Sequence, residues 1–226
     1  MKRILTAVMA VAVMLCFSAC GATEEKNTVG DGSAVQRPVF TNGAVDWKIE
    51  EGVASFDGDD VRMADFNTYE VENGTVPWAP EKENISSVKI NDGITYVGNY
   101  SFFDFDGVSS AEIAGTVDSI GSSAFAFCDN LESVVLGEGI REIGMGAFGQ
   151  CVSLREINIP DTVTTIGKGA FYDCYSLTDL TIPATVEVFG DADIFTGCTA
   201  LTIHCVEGSE AHAQAEKYGI QFDFNI

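Results

Sequence analysis

LESVVLGEGIREIGMGAFGQCVS, residues 131–153, is followed at once by LREINIPDTVTTIGKGAFYDCYS, residues 154–176, and the two carry like residues in like places. Ile85, Val108, Leu131, Leu154 and Leu177 head successive units 23 residues apart, and Leu201 follows after 24, so the last full unit holds one extra residue near 191–194. Self-similarity at this spacing marks a solenoid of stacked coils. Each coil has an apolar side that it cannot bury alone, so each needs its neighbours.

The slots within a unit have separable physical reasons. The fourth (Val88, Ala111, Val134, Ile157, Leu180) and the sixth (Ile90, Ile113, Leu136, Ile159, Ile182) alternate as a short half-buried strand requires. Stacking sets these strands about 4.8 Å apart in a parallel sheet, wound in the right-handed sense that parallel connections prefer. Slot fourteen is always glycine (Gly98, Gly121, Gly144, Gly167, Gly190), which calls for either a positive φ or a backbone approach that leaves no room for a β-carbon. Phe102, Phe125, Phe148 and Phe171 follow four residues later, with Phe195 displaced by the insertion, and supply large interior rings. Pro160 and Pro183 end their strands, since proline cannot donate to a ladder.

The flanks read differently. Residues 1–20 form a targeting segment: Lys2 and Arg3, then an apolar run from Ile4 to Phe17, too short to span a bilayer as an ordinary helix. Phe17-Ser18-Ala19-Cys20 resembles a bacterial lipobox, which makes Cys20 the expected point of lipid attachment; the alternative is an ordinary signal peptide. Residues 21–37 are polar and aperiodic, as a flexible tether would be. Residues 38–84 supply an N-terminal cap. Trp47 and Ile49, a turn at Glu50-Glu51-Gly52, then Ala54 and Phe56 predict a hairpin, and Trp47 and Trp78 are expected to cover the first coil. Five repeats occupy 85–200. In the C-terminal cap, 201–226, Ser209 caps a helix over Glu210–Tyr218 that Gly219 ends, and a strand follows.

The unit LxxIxIPxxVxxIGxxAFxxC, most complete over residues 154–174, resembles the BspA-like leucine-rich repeats of bacterial surface proteins. The Trp47, Phe56-Asp57-Gly58 and Pro77-Trp78 leader and the Gly208-Ser209-Glu210 close resemble the usual flanks of such repeats. The resemblance covers roughly residues 45–226. It implies an α/β-type leucine-rich-repeat solenoid, β-dominated with short helical turns, exported and tethered at the cell surface, in a family partly implicated in adhesion. The Ala-Phe pair becomes Ser101-Phe102 in the first unit and Ile194-Phe195 in the last.

Chemistry finds few footholds. Cys128, Cys151, Cys174 and Cys198 share one slot, where ladder geometry aims the sulfurs alike; buried free thiols are expected rather than disulfides or a zinc tetrahedron. His204 and Cys205 are strand neighbours that alternation sends to opposite faces, which disfavours a nucleophile pair, and both His204 and His212 read as incidental. Asp57-Gly58-Asp59-Asp60 fails the calcium-loop spacing at Arg62 and Thr68 and reads as a solvated turn. No P-loop or dinucleotide fingerprint is present, so neither enzyme activity, nor a cofactor, nor a metal is expected.

Charge narrows the partners. The chain has 12 basic and 34 acidic residues, net −22. Such a surface repels phosphate, so nucleic acid is excluded and membrane contact must come through a lipid. The outward strand positions are small, polar and slightly acidic. Lys89, Glu112, Val135, Glu156, Asn158, Asp179 and Thr181 form the candidate binding face for a protein or other extracellular macromolecule, on a chain expected to be monomeric. The alternative is a carbohydrate-binding or structural envelope lipoprotein, which would show exposed aromatic platforms near Trp47 or Trp78.

Overall fold

The computed structural model describes residues 39–40, 43–190 and 193–225; the targeting segment, Cys20, the tether and the inserted Asp191-Ala192 lie outside them. The described residues fall in one compact unit, Gln36–Ile226. Strands β1 (Val39–Phe40) and β2 (Gly43–Ala44) pair with each other, and β3 (Asp46–Glu50) and β4 (Val53–Asp57) form the expected hairpin. Short β5 (Val61–Arg62), helix α1 (Thr68–Glu72) and a 3-10 turn over Ala79–Asn84 complete the leader. Each coil then contributes two strands. These are β6 (Ser87–Ile90) and β7 (Ile94–Val97), β8 (Ser110–Ile113) and β9 (Ser119–Ile120), then β10 (Ser133–Leu136) and β11 (Glu142–Ile143). The series continues with β12 (Glu156–Ile157) and β13 (Thr165–Ile166), β14 (Asp179–Thr181) and β15 (Val188–Phe189). Strand β16 (Thr202–His204), helix α2 (Glu210–Tyr218) and β17 (Gln221–Asp223) close the chain.

Two parallel ladders run along this stack. One follows β4-β6-β8-β10-β12 with β3 at its edge, and the other follows β5-β7-β9-β11-β13-β15. The second ladder has strands mostly two residues long, too short to show alternation in a sequence. It closes the far side of each coil with one or two hydrogen-bonded residues. The fold is thus a leucine-rich-repeat solenoid with few helices, and the described repeats contain only strands and turns. Strand β4 pairs in parallel with β6, so the second arm of the hairpin serves as the strand of an extra leading coil.

The interior is a stack of rings. Phe102, Phe125, Phe148, Phe171 and Phe195 lie nearly parallel, with centroids 4.9–5.9 Å apart. Trp78 extends the stack onto Phe102 at 5.8 Å, and Phe56 meets both edge-on. Trp78 is fully buried and its indole Nε1 donates to the Ser101 carbonyl at 2.6 Å. Ser101 stands where later coils have Ala124, Ala147 and Ala170; its buried hydroxyl donates to the Gly98 carbonyl, so the polar departure is satisfied locally.

Cys128, Cys151, Cys174 and Cys198 are free and buried, each thiol donating to a phenylalanine carbonyl of the preceding coil (Phe102, Phe125, Phe148, Phe171) at 3.1–3.2 Å. The slot-fourteen glycines take the second of their two reasons. None has a positive φ, and a β-carbon on Gly167 would sit 2.6 Å from the Met145 nitrogen, one on Gly98 1.7 Å from the Ala64 oxygen. At the C terminus Ser209 caps α2 by accepting from the His212 N–H, and Gly219 ends it at φ 67°.

Candidate functional site

The expected face resolves into two parts. In the first ladder, strand pairing sets Ser55, Lys89, Glu112 and Val135 side by side in one outward row, with Ser87, Ser110, Ser133 and Glu156 in the next. Lys89 Nζ lies 3.5 Å from Glu112 Oε2, each about half exposed, an ion pair that orders the row but adds little stability. Val135 is 57% exposed and forms the apolar centre of an otherwise polar surface.

The ladder stops after β12, and β14 pairs with β16 instead. Before that break, β12 is already joined to β10 through only two residues, against four between β8 and β10, and Pro160 stands at the end of the shortened pair. In earlier coils the slot-seven N–H donates back to the strand before it: Asn91 to Phe56, Ala114 to Ile90, Gly137 to Ile113. Proline has no such donor. The Asn158 amide takes its place, donating to the Leu136 carbonyl and accepting the Leu136 N–H, both at 2.8 Å. Asn158 is therefore committed to the backbone of the preceding coil, which leaves Lys89, Glu112, Val135 and Glu156 as the candidate residues on this sheet.

Asp179 and Thr181 lie on the C-terminal sheet, where Thr181, His204 and Asp223 are cross-strand neighbours. His204 points outward while Cys205 is buried, as alternation requires. The imidazole is not incidental. Its Nδ1 lies 2.7 Å from Asp223 Oδ1 and its Nε2 3.3 Å from Asp179 Oδ1. Two acceptors ask for two donors, so the protonated ring fits best. Asp223 chiefly, with Asp179, holds the His204 pKa above its ordinary range despite partial burial. In return Asp223 is lowered first by His204, while Asp179 is lowered first by the Thr178 hydroxyl and then by His204. With both nitrogens engaged, the ring offers no free base.

His212 packs against Phe222 and Phe224, and its Nδ1 accepts the Gly208 N–H. Among the described residues no cluster of three or more His, Cys, Asp or Glu side chains is placed to hold a metal ion, and no helix is long and apolar enough to cross a membrane. An apolar pocket of about 170 Å³ lies between Phe189 and Phe195 of the last coil and Gln214 and Tyr218 of α2. It has no acid–base pair in its lining and follows the seam between coil and cap.

The tryptophans supply no platform, because Trp78 is sealed and Trp47 is 7% exposed against it. Tyr96 is buried too, with its hydroxyl on Asp65 and the Arg62 guanidinium 3.9 Å over its ring. Burial first, then Asp65, pushes its pKa up. Exposed rings lie elsewhere: Tyr69 at 70% on α1, Tyr218 and Phe224 near the C terminus, and on the turns between coils Tyr175 at 53% and, missed in reading the sequence, Phe127 at 40%. Comparing slots across coils would have exposed Phe127, because its equivalents are Asp104, Gln150 and Asp173.

The chain is similar to several bacterial proteins of known structure. It is 26% identical to a leucine-rich repeat protein from Eubacterium ventriosum, with a TM-score of 0.61 over 74% of this chain and 43% of that one. It is 23% identical to the Treponema pallidum leucine rich repeat protein (TM-score 0.54; 79% of this chain, 71% of that one). It is 24% identical to a leucine rich cell surface protein from Faecalibacterium prausnitzii (TM-score 0.54; 84% and 43%). The chain thus spans less than half the length of two of these three. No curated protein matches it. A family model described as the BspA type leucine rich repeat region matches residues 80–202 in six copies, the stack of coils traced above. The chain belongs to the BspA type leucine-rich repeat family.

Proposed function

We propose that this protein is a surface-tethered interaction module of the adhesion type, a monomer that binds a protein or other extracellular macromolecule and performs no chemistry on it. The observation that carries this reading is the outward face of the first ladder, a continuous sheet of polar residues around exposed Val135, flanked by Lys89, Glu112 and Glu156. Parallel coils hold those side chains in fixed rows, which is how solenoids present extended binding surfaces. Export and anchoring rest on the Lys2-Arg3 start, the apolar run and Cys20. The acidic surface excludes nucleic acid as the partner.

Immobilised matrix proteins and polysaccharides, probed with the detergent-solubilised full chain and its Val135→Glu variant, test the reading. Capture by a protein, lost in Val135→Glu, supports it. Capture by glycans alone would transfer the assignment to a carbohydrate-binding envelope lipoprotein. Palmitate labelling of expressing cells that is unchanged in Cys20→Ala would remove the lipid tether from the proposal.

A further inference from the structure

The first four coils each turn through two residues with left-handed backbone. The first position is Tyr100 (φ 56°), Ser123 (52°), Gly146 (61°) and Gly169 (63°). The second is Asp104 (63°), Phe127 (62°), Gln150 (60°) and Asp173 (56°). Glycine and small polar residues tolerate this region, whereas bulky side chains are disfavoured there. Tyr100 and Phe127 are therefore poor choices for the turn itself. Burial does not explain Phe127 either, since it is 40% exposed, and Tyr100 is only partly buried. Gly149, whose carbonyl accepts the Phe127 N–H, has no side chain to cover the ring.

These two aromatics flank a third. Tyr100 and Phe103 have ring centroids 5.5 Å apart, and Phe103 and Phe127 5.1 Å apart, giving a row of three across adjacent coils. Carboxylates border it. Asp104 follows Phe103 in the chain and is paired with Lys82 at 3.0 Å. Asp106 and Asp129 are exposed, and no described cation lies within ion-pair distance of either. The Asp129 carboxyl is pushed up, by partial burial and then by the charges of Asp106 and Asp104, so these acids share one field. Aromatic faces beside unneutralised carboxylates complement a cation on an apolar stem, as in arginine and lysine.

We propose that the Tyr100–Phe103–Phe127 row docks a basic segment of a protein partner, its arginine or lysine side chains lying on the rings with their charge towards Asp106 and Asp129. This rests on the reading of the chain as an interaction module and names the chemistry of its partner. The full chain in detergent is titrated with an oligoarginine peptide and, separately, with a neutral β-glucan oligosaccharide, alongside Phe127→Asn and the Asp106→Asn/Asp129→Asn double variant. Asparagine suits the left-handed turn, so Phe127→Asn is expected to keep or raise the melting temperature while weakening peptide binding about tenfold or more. The double variant is expected to weaken binding and flatten its salt dependence.

Equal peptide affinity in Phe127→Asn, or no peptide binding by the wild type, overturns the proposal. So does a melting temperature lowered by several degrees, which would make the ring a packing element. Oligosaccharide binding that depends on Phe127 would replace the basic segment with a sugar. If matrix proteins capture the wild type and Phe127→Asn equally, this docking row fails while the interaction-module reading stands.

Discussion

Gly167 and Asn158 each act on the coil before them. Adding a methyl group at Gly167 brings it within 2.6–3.0 Å of Met145 and Gly144 backbone atoms, which cannot yield without separating the coils. Gly167→Ala should therefore lower stability by about 1–3 kcal/mol in a denaturant titration, as overpacking does. An unchanged midpoint would mean that the coils are less closely apposed there. Asn158→Ala should cost about 1–3 kcal/mol, since it strands the Leu136 carbonyl and N–H that the amide now satisfies. Equivalent stability of the alanine variant would show that water replaces the amide without loss.

The C-terminal sheet carries its own pH dependence through His204. The ring's pKa is raised by Asp223 and Asp179, so its contribution is complete below the ordinary value near 6.5 and is lost as pH rises through the raised one. The two carboxylates are lowered, so their share is present above 3.8 and is lost as pH falls through their lowered values. The attachment of β17 and α2 should thus be firmest in mildly acid solution and loosen towards alkaline pH. Amide protection factors of 210–223, corrected for the base-catalysed intrinsic rate at mildly acid and mildly alkaline pH, check this. In His204→Gln the difference between the two conditions should vanish; if it persists, other groups set it.

Stability of the whole stack depends on coupling between coils. Phe148 is stacked between Phe125 and Phe171 and fully buried, so Phe148→Ala should cost about 3–5 kcal/mol by chemical denaturation. The cysteine column reports the same coupling. Burial pushes the Cys128 thiol well above its usual range and the Cys151 thiol up to about 12. In a Cys16→Ser/Cys20→Ser background at mildly alkaline pH, the four column thiols should resist a disulfide reagent in the native state and react together across the denaturant transition. Stepwise release, coil by coil, would show that the solenoid unravels from one end.

By itself, the sequence determined the stacking: apolar slots recurring every 23 residues can be buried together only if each coil lies on the last. Caps at both ends followed from the same need, and local turn chemistry placed Ser209, Gly219 and, to within the one residue Glu50 that extends β3, the turn of the leading hairpin. Only the tertiary structure decided why slot fourteen is glycine, that Pro160 hands its lost donor to Asn158, that the outward face is divided at that point, and that His204 sits between two aspartates. It also revealed the left-handed turns, whose residues differ from coil to coil and so leave no repeating letter. The physical reason is common to all of these. Each depends on backbone or side-chain atoms of a neighbouring coil about 20–25 positions away, and a repeat shows that coils adjoin without showing which atoms meet.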